Sequence, residues 1–201
     1  AAKHIGLGTL LESLRSAARM HDWGKCDARF QAMLIRRDLQ WAYSQPHLWA
    51  KSGESTSSRR DWEAVRNRAG LPRGFRHEFL SVQLAERAVA CADDADVQLA
   101  LHLIASHHGY ARPFAPICED AQPIDVQYEA ASGMITLSSD WRIEHPPERL
   151  DSAIADRFWQ ATRRFGWWGL AYLEAILRLA DQNASAHPLV GDTVATSEVI
   201  S

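Results

Sequence analysis

His21 and Asp22 stand side by side in the stretch His21-Asp22-Trp23-Gly24-Lys25, and further residues of the same chemistry follow at long intervals: His77, the doublet His107-His108, and Asp181. Imidazole and carboxylate are ligands of borderline and harder divalent ions, and an aspartate can bridge two ions through its two oxygens. In a two-metal hydrolytic site, with ions about 3.5–4 Å apart, such ligands orient a phosphodiester and stabilise both the attacking and the leaving oxygen. Each of these residues falls at the end or edge of an apolar helical stripe. A polar group placed there has to be hydrogen-bonded, paired or metal-bound, because burying it unpaired is costly. Any one of the histidines alone reads as a satisfied core histidine. Taken together, the four segments read as one two-metal hydrolytic site acting on nucleic acid. Such a reaction needs neither a thiol nucleophile nor a Gly-rich phosphate loop. The chain has no Gly-x-x-x-x-Gly-Lys-Ser/Thr, so it does not itself hydrolyse ATP by a P-loop mechanism.

The elements that must carry these residues read as helices. Leu10, Leu14 and Ala17 recur at helical spacing and lead onto His21, with Leu11 and Ala18 widening the stripe. Gly24 is expected to break that helix, and Asp27 to cap a second short one through Phe30, Met33 and Leu34. Residues 43–58, with Pro46 and a Ser/Thr cluster, read as a long surface loop. Residues 59–76 hold six arginines against two acids, which suits either a solvated face or a phosphate-contacting patch. After Pro72 and Gly74 a helix over about 76–91 places His77, Leu80 or Ser81, Leu84 and Ala88 on one face. The next, from about Asp94, runs through Val97, Ala100, Leu101 and Ile104 to His108, while Leu99 and Leu103 lead to His107. It is apolar nearly all round, so it should be central, and Gly109 should end it.

Pro113, Pro116 and Pro123 forbid a continuous helix over 110–146, where residues 126–137 across Ser132-Gly133 suit a small hairpin. Pro146-Pro147 is expected to introduce a helix reaching about Arg164. The last helix, over 168–183, buries Leu170, Leu173, Leu177 and Ala180, with Asp181 beside that stripe and a frayed polar tail after His187. Six or seven helices with little strand make an all-α fold, read as a single domain over 1–201. His47, His102, His145 and His187 take structural or loop roles in this reading.

Composition narrows the setting. A chain of 201 residues can bury one substantial core, and a net charge of −3 is not that of a free-standing nucleic-acid binder. Binding must then be local, metal-assisted or helped by a partner. Cys26, Cys91 and Cys118 are scattered and form no Cys-x-x-Cys, against both a disulfide framework and a zinc ribbon, so a reducing cytoplasm is the simplest location. No apolar run approaches the ~20 residues that span a bilayer, and the amino end has no signal-peptide pattern. The chain starts at Ala1 without a methionine and enters a helical pattern almost at once, as an excised piece of a longer protein would.

The motifs together resemble the HD metal-dependent phosphohydrolase superfamily. More narrowly, residues 20–31, Gly74-Phe75-Arg76-His77-Glu78, Ala105-Ser106-His107-His108-Gly109 and Leu177-Arg178-Leu179-Ala180-Asp181 look like the HD nuclease domain of the type I CRISPR helicase-nuclease, over roughly residues 5–186. Trp167-Trp168-Gly169 is closest to a less-studied subtype. The resemblance implies an HD-domain helical bundle with long loops, binding two divalent ions (manganese, iron, cobalt, nickel or magnesium) and cleaving single-stranded DNA. It implies that Asp22 bridges the ions, that His21 and Asp181 complete one site, and that His77, His107 and His108 complete the other. Lys25 would contact a substrate phosphate or bound oxyanion and share the catalytic role with Asp22. Arg76, Trp23 and Arg112 are the candidates for nucleic-acid contact, with Trp23 stacking on a base. A helicase in the same or a partner chain and a CRISPR surveillance complex are the implied partners. The family has a further histidine in a helix well before the His-Asp pair. Here only His4 precedes it, in a segment resembling the turn after that helix, so the first metal site is expected to lack a ligand within this chain. The rival readings are an HD phosphohydrolase acting on nucleotides and a non-catalytic, metal-stabilised docking module.

Overall fold

The structure, a computed structural model, describes residues 7–45, 47–51, 58–88 and 96–187. His4, Cys91, most of the Ser/Thr cluster and the tail 188–201 lie outside the described residues. The chain runs through α1 (Leu7–Met20), a 3-10 turn (Trp23–Cys26), α2 (Ala28–Ile35), α3 (Leu39–Ser44), α4 (Arg59–Arg68), α5 (His77–Ala88) and α6 (Val97–Ser106). A hairpin of β1 (Val126–Ala130) and β2 (Gly133–Leu137) follows, then α7 (Ser139–Glu144) and α8 (Ile154–Ala186). This is the expected all-α bundle with a small hairpin, paired antiparallel with Val126 opposite Leu137.

The centre of the bundle is α6. Every residue from Leu99 to Ser106 is buried, and α1, α5 and α8 pack around it. Asp96 caps it by accepting from the Leu99 N–H at 3.1 Å. The helix ends at Ser106, and the Gly109 N–H returns to the Ser106 carbonyl at 2.7 Å, with Gly109 at φ +87° where an L side chain would be strained. A second apolar cluster joins Leu80 and Leu84 of α5 to Val126, Ile135 and Leu137 of the hairpin, and Trp23 packs against both clusters.

Several expectations are corrected. Leu11 is 47% exposed and Ala18 is exposed. Leu10, Leu14 and Ala17 do face the core, but the stripe widens on the other side, through Ser13 and Met20, with the Ser13 hydroxyl accepting from the Asp96 N–H at 2.9 Å. α1 ends at Met20, so Gly24 does not break it. Gly24 lies inside the 3-10 turn for a different reason: a Cβ there would stand 2.0 Å from the His77 carbonyl oxygen. The loop expected over 43–58 is preceded by α3, and the stretch before 146 contains α7, each six residues long and too short to show a period. Pro146-Pro147 opens turns, and α8 starts at Ile154. The two helices expected here are both present within it and meet at a kink at Gly166 (φ 70°, ψ 170°). Leu170, Leu173 and Leu177 are buried as expected, whereas Ala180 is exposed. Among the described residues no helix is long and apolar enough to cross a membrane.

Candidate metal centre

The six candidate ligands come from five places that the bundle brings together: the turn after α1, the first residue of α5, the end of α6 and the residue beyond it, and the last third of α8. Helix ends explain how the rings are held. The last carbonyls of an α-helix have no intrahelical partner. His21, just past α1, donates from Nδ1 to the Ala18 carbonyl at 2.8 Å, and His107, at the C-cap of α6, donates from Nδ1 to the Ile104 carbonyl at 2.7 Å. A carbonyl only accepts, so Nδ1 carries a proton in both rings, and Nε2 is the atom each ring turns to the centre. Both Nε2 atoms are buried without a hydrogen-bond partner among the described residues.

Asp22 stands between the two groups of histidines. Its Oδ1 lies 3.1 Å from His77 Nε2, and its Oδ2 lies 3.5 Å from His21 Nε2. Asp181 Oδ1 is 3.4 Å from His21 Nε2, and His108 Nε2 is 3.3 Å from His77 Nε2. The ligand atoms of His77, His107 and His108 all lie within 4.8 Å of one another, as do those of His21, Asp22 and His107. All six expected ligands therefore converge, with Asp22 central and His107 within reach of both groups.

The electrostatics suit cation binding. Burial pushes the Asp22 carboxyl up, but the hydrogen bond from His77 and the charges of His21 and Lys25 outweigh it and hold the carboxyl well below the usual carboxylate range. Burial pulls His107 down to about 3, with neighbouring His108, His21 and His77 adding to the effect against the Ile104 hydrogen bond. Burial lowers His108 as well. The lowered Asp22, His107 and His108 favour an ionised carboxylate and neutral imidazoles, the forms that coordinate a divalent ion.

The other candidate residues are placed differently from expectation. Lys25 Nζ lies on Asp22 Oδ2 at 2.7 Å and on the Ala50 carbonyl at 3.2 Å, so it orients the central carboxylate. Trp23 stacks on Tyr128 with ring centroids 4.6 Å apart, which occupies one face of its ring. Arg112 pairs with Glu174, a buried residue that also binds His102 Nε2 at 2.8 Å. Arg76 remains beside the centre, its guanidinium 3.3 Å over the Tyr110 ring. An open cleft of about 430 Å³ reaches the histidines there, lined by Phe75, Arg76, His77, Glu78, His108 and Tyr110. A separate cavity of about 270 Å³, lined in part by Arg76, Asp120 and Arg142, contains none of the six candidate ligands.

Two features escaped sequence reasoning. The first is Ser81, fully buried on α5. Its hydroxyl accepts the Gly24 N–H at 2.7 Å and lies 2.6 Å from the His21 carbonyl and 3.0 Å from the His77 carbonyl. With Gly24 pressed against α5, this hydroxyl ties the His21-Asp22 turn to the helix that carries His77. The second is a buried ion network. Arg29 binds Asp27 and Asp120, each through both carboxylate oxygens, and Arg142 reaches the same pair at 3.2 and 3.7 Å. It fastens α2 and α7 to the segment between α6 and the hairpin. The only sequence signal for Ser81 was its place on the His77 face of a helix; nothing local marked the network.

Among known families, the one described as Cas3, HD domain matches residues 4–190 of the chain. Comparisons with curated proteins and with solved structures find no match.

Proposed function

The chain belongs to the Cas3 HD-domain family and is a metal-dependent HD nuclease of CRISPR defence; on that premise we propose that it cuts single-stranded DNA by two-metal phosphodiester hydrolysis. Asp22 would serve both ions, with His21 and Asp181 completing one set of ligands and His77, His107 and His108 the other. The observation that carries this reading is the pair of buried, donor-less Nε2 atoms of His21 and His107 clustered with an ionised Asp22. A pocket meant to hold itself together would not leave two such lone pairs unmatched.

When bound, the divalent ions supply an activated water and offset charge on the attacking and leaving oxygens. The chain's own residues prepare the site. The Ala18 and Ile104 carbonyls hold His21 and His107 in the tautomer that offers Nε2. Lys25 keeps Asp22 turned inward and places a positive charge at the rim. The open cleft beside His77 and His108 is where the strand would enter, with Arg76 at its edge positioned to meet a phosphate. We read the chain as one HD domain. ATP-driven strand separation then comes from another part of the same polypeptide or from a partner, delivered by a CRISPR surveillance complex in the cytoplasm.

The test is turnover by the purified protein with manganese, against single-stranded DNA and a nucleotide panel, alongside Asp22→Ala. Cleavage of the DNA that disappears in the variant supports the reading. Turnover of nucleotides alone would replace it with a nucleotide phosphohydrolase, and bound metal without any turnover would make the chain a docking module.

A further inference from the structure

His77 differs from the two histidines that flank it. His21 and His107 sit at helix C-termini, where free carbonyls accept their Nδ1–H. His77 is the first residue of α5, and the free backbone groups of a first turn are N–H donors. A ring there whose Nε2 points to an ion needs a side chain to accept its other N–H.

Glu78 has the position and the unsatisfied atom for this. The residue is 1% exposed, and its Oε2 is buried without a hydrogen-bond partner among the described residues. That oxygen faces His77 Nδ1 at 3.9 Å, while Oε1 is 3.4 Å from Arg76 Nη1. A buried carboxylate oxygen with no donor is costly, and the donor nearest in chemistry and place is the imidazole N–H, about an ångström beyond bonding distance. Its place in the first turn of α5 also suits the helix dipole.

We propose that Glu78 is the positioning residue of the His77 side: its carboxylate accepts the His77 Nδ1–H and turns the Nε2 lone pair onto an ion shared with His107 and His108. This rests on the metal-centre reading above. Through Oε1 the same carboxylate draws in Arg76, whose guanidinium lies on Tyr110 at the rim of the cleft. Glu78 thereby ties the inner ligand to the residue placed to meet the DNA backbone.

The experiment is manganese uptake by the whole chain, measured by equilibrium dialysis and calorimetry for wild type, Glu78→Gln, Glu78→Ala and His107→Ala, with thermal unfolding of each metal-free protein. Carboxylate partners of ligand histidines are worth about 10- to 100-fold in metal affinity. Glu78→Ala should weaken one ion by that factor and leave the other within about twofold, and Glu78→Gln, which keeps an acceptor oxygen, should lie between. In zinc-loaded, 15N-histidine-labelled protein, the His77 Nδ1 proton should resonate furthest downfield in wild type, move upfield in Glu78→Gln and exchange away in Glu78→Ala. Wild-type affinity for both ions in Glu78→Ala overturns the proposal alone, as does an equal loss of both ions that tracks lowered melting temperature in both Glu78 variants. Failure of the wild type to take up any ion, or full uptake by His107→Ala, overturns the metal-centre reading and this proposal with it.

Discussion

Two clusters of polar side chains, one buried and one open at its edge, flank the 3-10 turn in sequence, and they are built on opposite principles. In the Asp27–Arg29–Asp120–Arg142 network two carboxylates face two guanidiniums, and the Arg29 donors also reach the Gln122 carbonyl. Charge and hydrogen bonds close within the protein. In the metal centre donors are few: imidazole nitrogens and carboxylates crowd together, Lys25 is the one ammonium on Asp22, and the buried Nε2 atoms of His21 and His107 have no hydrogen-bond partner among the described residues. The first arrangement is complete as folded, and the second is complete only with a cation. A saturated polar cluster holds a fold together, and an unsaturated one marks where a ligand goes.

This contrast can be broken by exchanging the roles of stability and metal uptake. The largest effect is expected at the closed network. Asp27→Ala removes a helix cap and one of the two carboxylates that face the buried guanidiniums, so urea unfolding should show a loss of about 3–5 kcal/mol. If Asp27→Ala unfolds like wild type, the network is not the fastening it is described as. At the open centre Asp22→Asn should leave the metal-free melting temperature nearly unchanged, while adding manganese at about 100 times the dissociation constant, which should stabilise wild type by about 2.7 kcal/mol, should stabilise the variant far less. Equal stabilisation of both proteins would place the ion elsewhere.

Ser81→Ala sharpens the comparison, because Ser81 joins the two ligand-bearing segments. The Gly24 N–H would lose its acceptor in a buried place, costing about 1–3 kcal/mol, and metal affinity should fall as well. Lost stability with intact metal affinity would reduce Ser81 to a packing residue. The smallest effect concerns Cys26, next to Asp27. Burial first, and then the Asp27 charge, push its thiol up to about 12. A raised thiol pKa means less thiolate, so at pH 8 alkylation should be far slower than for an ordinary exposed cysteine and should quicken above pH 10. Rapid labelling at pH 8 in folded protein would contradict this.

Local pattern made much of the molecule legible in advance. The stripe through Leu170, Leu173 and Leu177, the apolar α6, the Asp27 cap and the hairpin around Ser132-Gly133 each follow from a few neighbouring residues. Leu11 and Ala180 misled because a helical stripe has two edges, and only packing chooses which edge is covered. The final helices read as two and are two, meeting at Gly166, whose positive φ kinks the chain between them. The short helices α3 and α7 were missed because six residues hold less than two turns of period.

Sequence by itself determined the chemistry of the centre: which imidazoles and carboxylates exist, that each falls at the end or edge of a helix, and which family they belong to. Tertiary structure decided how they are used. Lys25 turned to Asp22 and Trp23 to Tyr128, because those were the nearest partners once the turn had folded onto α5 and the hairpin. Ser81 meets Gly24 across 57 residues of chain, and Arg29 meets Asp120 across 91. Contacts of that separation leave no periodic trace in sequence, because no local rule of helix or strand spacing relates their partners; only the closed bundle does.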